Sequence, residues 1–242
     1  MKCPKCGYDN KEDAHYCSNC SYELKDDSKL PGLEFAKETE VNEVVAFFII
    51  GFGVLSIMLF LVPIVGGLLF AITGILQVWL MFQWMEVLNT NINNSLNILR
   101  FMDNSKNGFF KSATVSDYIN KLKKSKIDMF WFWVYVLLYI FGGISRKYAI
   151  YLNLSSFIFL GIFLQMIFNS EKNLQMAKNH FYSILLPEKY RFMNQIKPRN
   201  FLLVMLLTVI TLGIYWYYLL IKHASEINAF IVIDQENRRH LI

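Results

Sequence analysis

The sequence predicts an all-α membrane protein, a five-helix transmembrane bundle with a small N-terminal zinc ribbon. Of its 242 residues, 55% are hydrophobic, 16% are aromatic and 18% are charged, a composition that departs from the soluble average toward membrane proteins. Four cysteines stand in two Cys-x-x-Cys pairs near the N-terminus. The hydrophobic residues concentrate in five runs without Asp, Glu, Lys, Arg or His, which cover residues 44–61, 65–84, 129–144, 151–168 and 201–221.

The first segment, residues 1–24, has the cysteine spacing of a structural zinc site. Four thiolates in two pairs can close a tetrahedral shell around Zn²⁺. In the first pair, Pro4 fixes the backbone of the turn and Gly7 tolerates the positive φ that follows such a knuckle. The predicted ligands are Cys3, Cys6, Cys17 and Cys20.

Two other interpretations of these cysteines are a pair of disulfides and a redox-active Cys-x-x-Cys centre. Disulfides require an oxidising compartment, and a redox pair stands at the start of a helix in a larger domain. Neither context surrounds this segment, so the spacing favours zinc. The neighbouring Asp13 and His15 are expected to be surface residues, because four cysteines complete the shell without them.

The segment resembles the zinc ribbons that begin many bacterial and archaeal membrane proteins, with the pattern C-P-x-C-G, about ten residues, an aromatic residue and C-x-x-C-G. Tyr16 supplies the aromatic residue, whereas Ser21 replaces the final glycine. The resemblance implies zinc binding and a prokaryotic cell membrane, and it implies nothing about activity.

Residues 25–43 are predicted to form a linker. They mix both charge signs around Pro31 and Gly32, which is typical of a solvated tether. Residues 1–43 carry six Lys and ten Asp or Glu, a formal charge of −4. Because nucleic-acid binding needs a basic surface, this sign disfavours a nucleic-acid partner.

The basic residues predict the orientation of the remaining membrane domain, residues 44–242. Five spans with a cytoplasmic N-terminus place nineteen Lys or Arg inside and five outside, in agreement with the positive-inside rule. A cytosolic ribbon also keeps its thiolates reduced. This topology predicts a C-terminus outside the cell.

The five runs are not equally simple to interpret. Val62 and Pro63 leave so little room that the first two runs must form a tight hairpin. The run 129–144 is short, but its aromatic ends suit the headgroup boundary. Helix, break, helix and polar segment then recur after about 86 residues. The polar segments contain amphipathic stretches that either pack beneath the bundle or lie on the inner leaflet.

The last run resembles an uncharacterised family of small multi-pass membrane proteins with a T-x-G-I-Y motif, a following Trp and a polar helix with Asn. The matching residues are Thr211, Gly213, Ile214, Tyr215, Trp216 and Asn228. The resemblance implies a membrane domain without a known activity. From the residues alone, Gly213 permits close helix approach, and the aromatic side chains suit an interface.

Several functional classes are disfavoured. The spans lack the ionisable groups of an ion-coupled transporter, and no catalytic constellation is visible, so we expect no enzyme. His180, His223 and His240 are expected on the solvated surface. We therefore expect an integral membrane protein that acts as an interaction or scaffold module, with a cytosolic protein partner bound through the ribbon. The alternative is a small-solute channel or carrier with a regulatory ribbon, lined by Gln77, Gln83, Asn153, Gln165, Thr208 and Thr211.

Overall fold

The computed structural model describes residues 2, 6–9, 19, 36–59, 61–104, 113–145, 147–186 and 190–240. Within these ranges the chain is helical apart from turns, extended segments and one antiparallel bridge between Lys2 and Asp9. The seven helices are α1 (Glu43–Met58), α2 (Pro63–Asn104), α3 (Ala113–Lys124), α4 (Met129–Ile144), α5 (Ala149–Leu185), α6 (Phe201–Ile210) and α7 (Ile214–Arg239).

The first two long helices form the predicted hairpin. Asn42 caps α1 by accepting a hydrogen bond from the Val44 N–H, and α1 ends at Met58. Pro63 opens α2, the position at which its fixed φ suits a helix and its missing N–H costs nothing. The turn between them belongs to what we call the tip end of the molecule, and residues 36–42 mark the opposite, linker end.

The second hairpin repeats the first with an offset of 86 residues, as the hydropathy pattern predicts. Helix α4 begins and ends 86 residues after α1, and α5 begins 86 residues after α2. Asp128 caps α4 by accepting from the Phe130 N–H, as Asn42 caps α1. The duplication therefore includes the capping side chains as well as the apolar runs.

The fifth apolar run does not form one helix. Asn200 caps α6, which ends at Ile210, and α7 begins at Ile214. Between them, Leu212 has φ 52° and Gly213 has φ 91°, the left-handed conformation that reverses a chain after a helix. Leu212 is 94% exposed at the point of reversal.

The chain therefore returns along α7 toward its starting point instead of crossing to the tip end. Arg199 precedes α6, and its Nη1 lies 2.8 Å from Glu226 Oε2 on α7, so the two helices are antiparallel. Helix α6 has ten residues, about 15 Å of rise and half of a ~30 Å hydrocarbon core. The predicted five-span bundle is accordingly not confirmed, and the C-terminal helix ends at the linker end rather than on the opposite side.

Among the described residues, three helical stretches are long and apolar enough to cross a membrane: Ile64–Arg100, Ser116–Ile144 and Ala149–Ser183. The second includes α3 and the break before α4. The shorter apolar helices are Glu43–Met58 and Phe201–Ile210. These lengths and compositions support a membrane protein with helical hairpins. The amphipathic α3 packs against the bundle, because its Tyr118 and Leu122 are buried while Lys121, Lys123 and Lys124 are exposed.

Aromatic rings meet glycines where neighbouring hairpins touch. A Cβ atom on Gly53 of α1 would lie 2.6 Å from the Tyr217 hydroxyl of α7, and one on Gly74 of α2 would lie 2.5 Å from the Tyr139 hydroxyl of α4. Phe201 of α6 packs in the same way on Gly161 of α5. Small residues permit this close approach in membranes. In each of these three contacts between hairpins, an aromatic ring packs on a glycine.

Candidate functional site: the docked linker and two buried charge clusters

The end of the predicted linker is bound to the helical bundle. Ala36 donates its N–H to Asn94 Oδ1 at 3.0 Å and accepts from Asn94 Nδ2 at 2.9 Å. Val41 exchanges the same two bonds with Asn228, at 2.7 and 2.9 Å, and is 2% exposed. The expectation that all of residues 25–43 form a solvated tether is therefore wrong for residues 36–42.

Glu38 anchors this docked linker by its charge. Its Oε2 is paired with Arg238 Nη2 and accepts from Gln235 Nε2 at 3.3 Å. Its Oε1 accepts from Asn94 Nδ2 at 2.9 Å and from Asn91 Nδ2 at 3.3 Å. The Glu38 side chain is 4% exposed, so its carboxylate has exchanged water for four protein donors.

Beneath Glu38 lies a second acid with its own partners. Asp234 is fully buried, and its Oδ2 lies 2.6 Å from Lys178 Nζ and accepts from Asn91 Nδ2 at 2.7 Å. Its Oδ1 accepts from the Tyr182 hydroxyl at 2.8 Å. Lys178 Nζ also donates to Asn91 Oδ1 at 2.6 Å. We call Glu38, Asn91, Lys178, Tyr182, Asp234 and Arg238 the linker cluster.

The linker cluster is formally neutral, with two acids and two bases. Burial by itself would raise the pKa of Asp234, but Lys178 and Arg238 outweigh it and hold that pKa below its usual value. Burial would lower the pKa of Arg238, whereas Asp234 and Glu38 raise it. Arg238 Nε lies 3.1 Å from Asp234 Oδ2 without hydrogen-bond alignment. Asp234 and Arg238 therefore depend on their charged neighbours to remain ionised away from water.

A second buried cluster surrounds His223, closer to the tip end than the linker cluster is. Arg199 Nη1 lies 3.2 Å from His223 Nδ1, and because a guanidinium only donates hydrogen bonds, Nδ1 is the acceptor in this contact. Nε2 lies 3.0 Å from Glu171 Oε1, a contact at ion-pair distance but without hydrogen-bond alignment. Trp84 stacks edge-on at 4.6 Å between ring centroids.

The prediction that His223 lies on the solvated surface is therefore wrong, because its side chain is fully buried. Helices α5 and α7 and the segment before α6 enclose it between two acids and an arginine. The other two histidines that sequence analysis placed on the surface, His180 and His240, are exposed.

Side-chain amides dock several segments that lack regular secondary structure. In each pair, the carbonyl of one Asn or Gln accepts from a backbone N–H while its amide nitrogen donates to the same residue's C=O. Such a pair satisfies backbone groups that have no helix to bond them. In the part of the chain that the structure describes there are six such pairs: Asn89 with Ile127, Asn94 with Ala36, Gln175 with Ile196, Asn179 with Met193, Asn228 with Val41, and Asn237 with Arg191.

Three of these amide pairs join the hairpins in a ring. Asn89 on α2 binds Ile127, two residues before α4, and Gln175, the equivalent position of α5, binds the segment before α6. Asn228 on α7 binds Val41, two residues before α1, and closes the ring. Docking of the linker at Val41 is thus one of three equivalent joints.

The predicted metal ligands are only partly described. Cys6 lies at an exposed turn, and the following Gly7 has φ 72°, as expected after a knuckle. The bridge between Lys2 and Asp9 brackets this turn. Cys3, Cys17 and Cys20 lie outside the described residues. A set of four cysteine thiolates fits the ligand preference of Zn²⁺.

Two protein-family models match this chain, one near each end. Residues 2–24 match the family described as a zinc-ribbon domain, and residues 199–241 match the family described as Domain of unknown function (DUF4234). The second match coincides with the α6–α7 hairpin. A search of curated proteins and a search of solved structures found no match. The ribbon match supports zinc binding and a metal-binding N-terminal domain.

The structure also gives physical roles to the C-terminal motif. Thr211 Oγ1 donates to the Leu207 carbonyl at 2.7 Å and accepts from the Tyr215 N–H at 2.9 Å, so it bridges the two helices across the turn. Gly213 supplies the positive φ of that turn. Asn228 is the residue that binds Val41.

Sequence reasoning missed the linker cluster entirely. One signal was present: Glu226, Phe230, Asp234 and Arg238 follow each other at four-residue intervals, and all are buried. That spacing marks a single helix face. A face that mixes acids, a base and an aromatic ring does not register as apolar, so periodicity alone could not show that it was buried.

Proposed function

We propose that this protein is a membrane-anchored interaction module whose zinc ribbon binds a cytosolic protein, and whose docked linker fixes the ribbon to the helical bundle. The observation that supports it best is the binding of residues 36–42 by two amide pairs and the Glu38–Arg238 ion pair. A purely flexible tether would need none of these contacts. A bound linker limits where the ribbon can reach and connects it mechanically to α2 and α7.

The proposed topology places the linker end in the cytosol. The first and second hairpins each cross the membrane twice, and the α6–α7 hairpin enters and returns without crossing. The basic residues before α4 and α6 and those at the end of α7 then all lie inside, which the positive-inside rule favours more strongly than a five-span arrangement. The ribbon and the C-terminal helix are thereby on one side.

The docked linker also shortens the tether. The ribbon match ends at residue 24 and docking begins at Ala36, so at ~3.5 Å per residue the two points are at most about 40 Å apart. A ribbon confined to that radius has a raised effective concentration for partners at the membrane surface. The linker sequence therefore sets the working radius of the module.

The test compares proteins captured with the full-length chain and with Cys17→Ser, both isolated from native membranes. We expect a specific set of proteins that is lost from the variant, because loss of one thiolate removes zinc and unfolds a ribbon too small to fold alone. Glu40→Gln, a substitution at an exposed linker residue, is the control. Identical captured sets from wild type and Cys17→Ser would overturn the proposal.

The alternative of a solute channel is examined in the same preparation by flux into reconstituted vesicles. Four of its six proposed lining residues have other partners: Thr208 and Thr211 donate to carbonyls four residues earlier, Gln165 donates to Asn169, and Gln83 accepts from the Asn42 N–H. These pairs explain the polar groups without a pore. Specific flux that persists in Cys17→Ser would favour the channel.

A further inference from the structure

Between the first and second hairpins, toward the tip end, the bundle contains a cavity of about 800 Å³. Its walls come from α2, α4 and α5, and it extends from the tip end, at Gly143 and Ile144, to the level of Gln77 and Val78. Its size falls within the ~300–1,000 Å³ of small-molecule sites, and a space between helices of a bundle is a common place for such sites.

Among the residues that the structure describes, the lining is apolar with a small number of polar groups and no charged side chain. The polar residues, taken from the tip end inward, are Asn153, Ser156, Tyr139, Tyr135 and Gln77. Ser156 donates to the Asn153 carbonyl at 3.1 Å. Asn153 is exposed, and an amide at membrane depth is costly without a hydrogen-bond partner.

An aromatic layer separates this cavity from the linker end, where the buried charge clusters lie. One helical turn toward the linker end, Phe82 of α2 lies 6.0 Å from Phe132 of α4, and Phe132 lies 5.1 Å from Phe163 of α5, measured between ring centroids. Phe132 and Phe163 are fully buried. The polar trail that begins at Asn153 therefore stops at Gln77, which is the geometry of a binding site and not of a pore.

We propose that this cavity binds an uncharged, single-headed lipid whose hydroxyl or carbonyl groups hydrogen-bond to Asn153 and to the polar groups below it. The described lining offers hydrogen-bonding groups without a charge, which favours an uncharged head over a phosphate or carboxylate. Exposed apolar residues at the rim, including Ile140, Ile144 and Phe157, open the site sideways to the hydrocarbon region. A lipid can therefore enter from the bilayer with its tail along α2 and α4.

The probe is a photoactivatable monoacylglycerol with its reactive group in the acyl chain, added to the full-length protein in phospholipid nanodiscs. Labelled residues are then mapped by mass spectrometry. We expect saturable labelling of α2, α4 and α5 at the cavity wall, with displacement by unlabelled monooleoylglycerol. Oleate and lysophosphatidylcholine should displace the label at least tenfold less effectively, because their heads are charged.

Two glycines give a matched pair of variants. A Cβ on Gly143, which lines the cavity, and a Cβ on Gly67, which does not, would each meet no atom within 4 Å. Gly143→Phe should reduce labelling at least tenfold by filling the cavity, and Gly67→Phe should leave it unchanged. Thermal unfolding of both variants reports whether each is folded.

A variant that removes a polar group distinguishes binding of this lipid from occupation of the cavity by the tails of bulk phospholipids. Asn153→Leu should weaken displacement by monooleoylglycerol about tenfold while leaving room for the acyl chain. Equal labelling of Gly143→Phe and Gly67→Phe would overturn the proposal, and so would equal displacement by monooleoylglycerol and lysophosphatidylcholine. Misfolding of Gly143→Phe would leave the decision to the headgroup competition and to Asn153→Leu.

Discussion

Removing the charge of Glu38 should release the linker from the bundle. In Glu38→Gln, the amide keeps the size of the side chain and one acceptor, but Arg238 loses its charged partner at the surface of the linker cluster. Breaking a buried ion pair costs about 3–5 kcal/mol, and a hydrogen bond to a charged group contributes about 1.5–3 kcal/mol. Arg238 keeps its contact with Asp234, so we expect a loss near the lower range, about 2 kcal/mol.

Because each 1.4 kcal/mol corresponds to a factor of ten, this loss raises the undocked population about 30-fold. Hydrogen exchange of the Ala36 and Val41 amides measures it directly, since both are bonded to side chains that hold them only while the linker is docked. Exchange reports local opening separately from global unfolding. Both amides should exchange about 30-fold faster in Glu38→Gln than in wild type, in nanodiscs at pH 7.

Glu40→Gln is the matched control, because Glu40 is an exposed acid two residues away, and its substitution should change exchange less than twofold. Amides around the buried Leu164 should keep their protection in both variants if only the linker is released. Equal exchange at Ala36 and Val41 in the two variants would refute the argument that the charge of Glu38 holds the linker.

Three further predictions address topology, acid stability and metal. Tags placed before Ala36 and after His240 should be accessible from the same side of the membrane, and a tag beside Lys147 from the other; accessibility of the C-terminal tag from the Lys147 side would support five spans. Because the pKa of Asp234 is lowered in the folded state, its contribution to stability is complete above the unfolded pKa of about 4 and is lost as pH falls through the folded pKa. The melting temperature should therefore show a component that falls below about pH 4, and Asp234→Asn should lack that component; the same acid dependence in the variant would contradict this. Metal analysis of the purified protein should find one zinc per chain, and none in Cys17→Ser with the helix content measured by circular dichroism unchanged, since the described bundle begins after the ribbon; full zinc occupancy in the variant would exclude Cys17 as a ligand.

The sequence by itself determined the class of the protein and the order of its parts. Uncharged runs of membrane-spanning composition, the tight break at Pro63 and the 86-residue repeat are local properties, and the structure reproduces the break and the repeat in α1, α2, α4 and α5. The paired cysteines likewise carry their chemistry in their spacing, and the ribbon family match agrees with it. Such features depend on neighbouring residues, which a single sequence displays in full.

Only the tertiary structure decided which polar residues are buried and where the chain turns back. Glu38 and Arg238 are 200 residues apart in sequence, and the local pair of Arg238 with Asp234 does not predict a contact with Glu38. The reversal at Leu212 and Gly213 lies inside an uncharged run, so hydropathy did not separate α6 from α7. Burial of Asp234 and His223 is favourable only because Lys178 and Arg199 arrive from other segments, in addition to Arg238 one helical turn after Asp234. That compensation is complete only after the hairpins have packed.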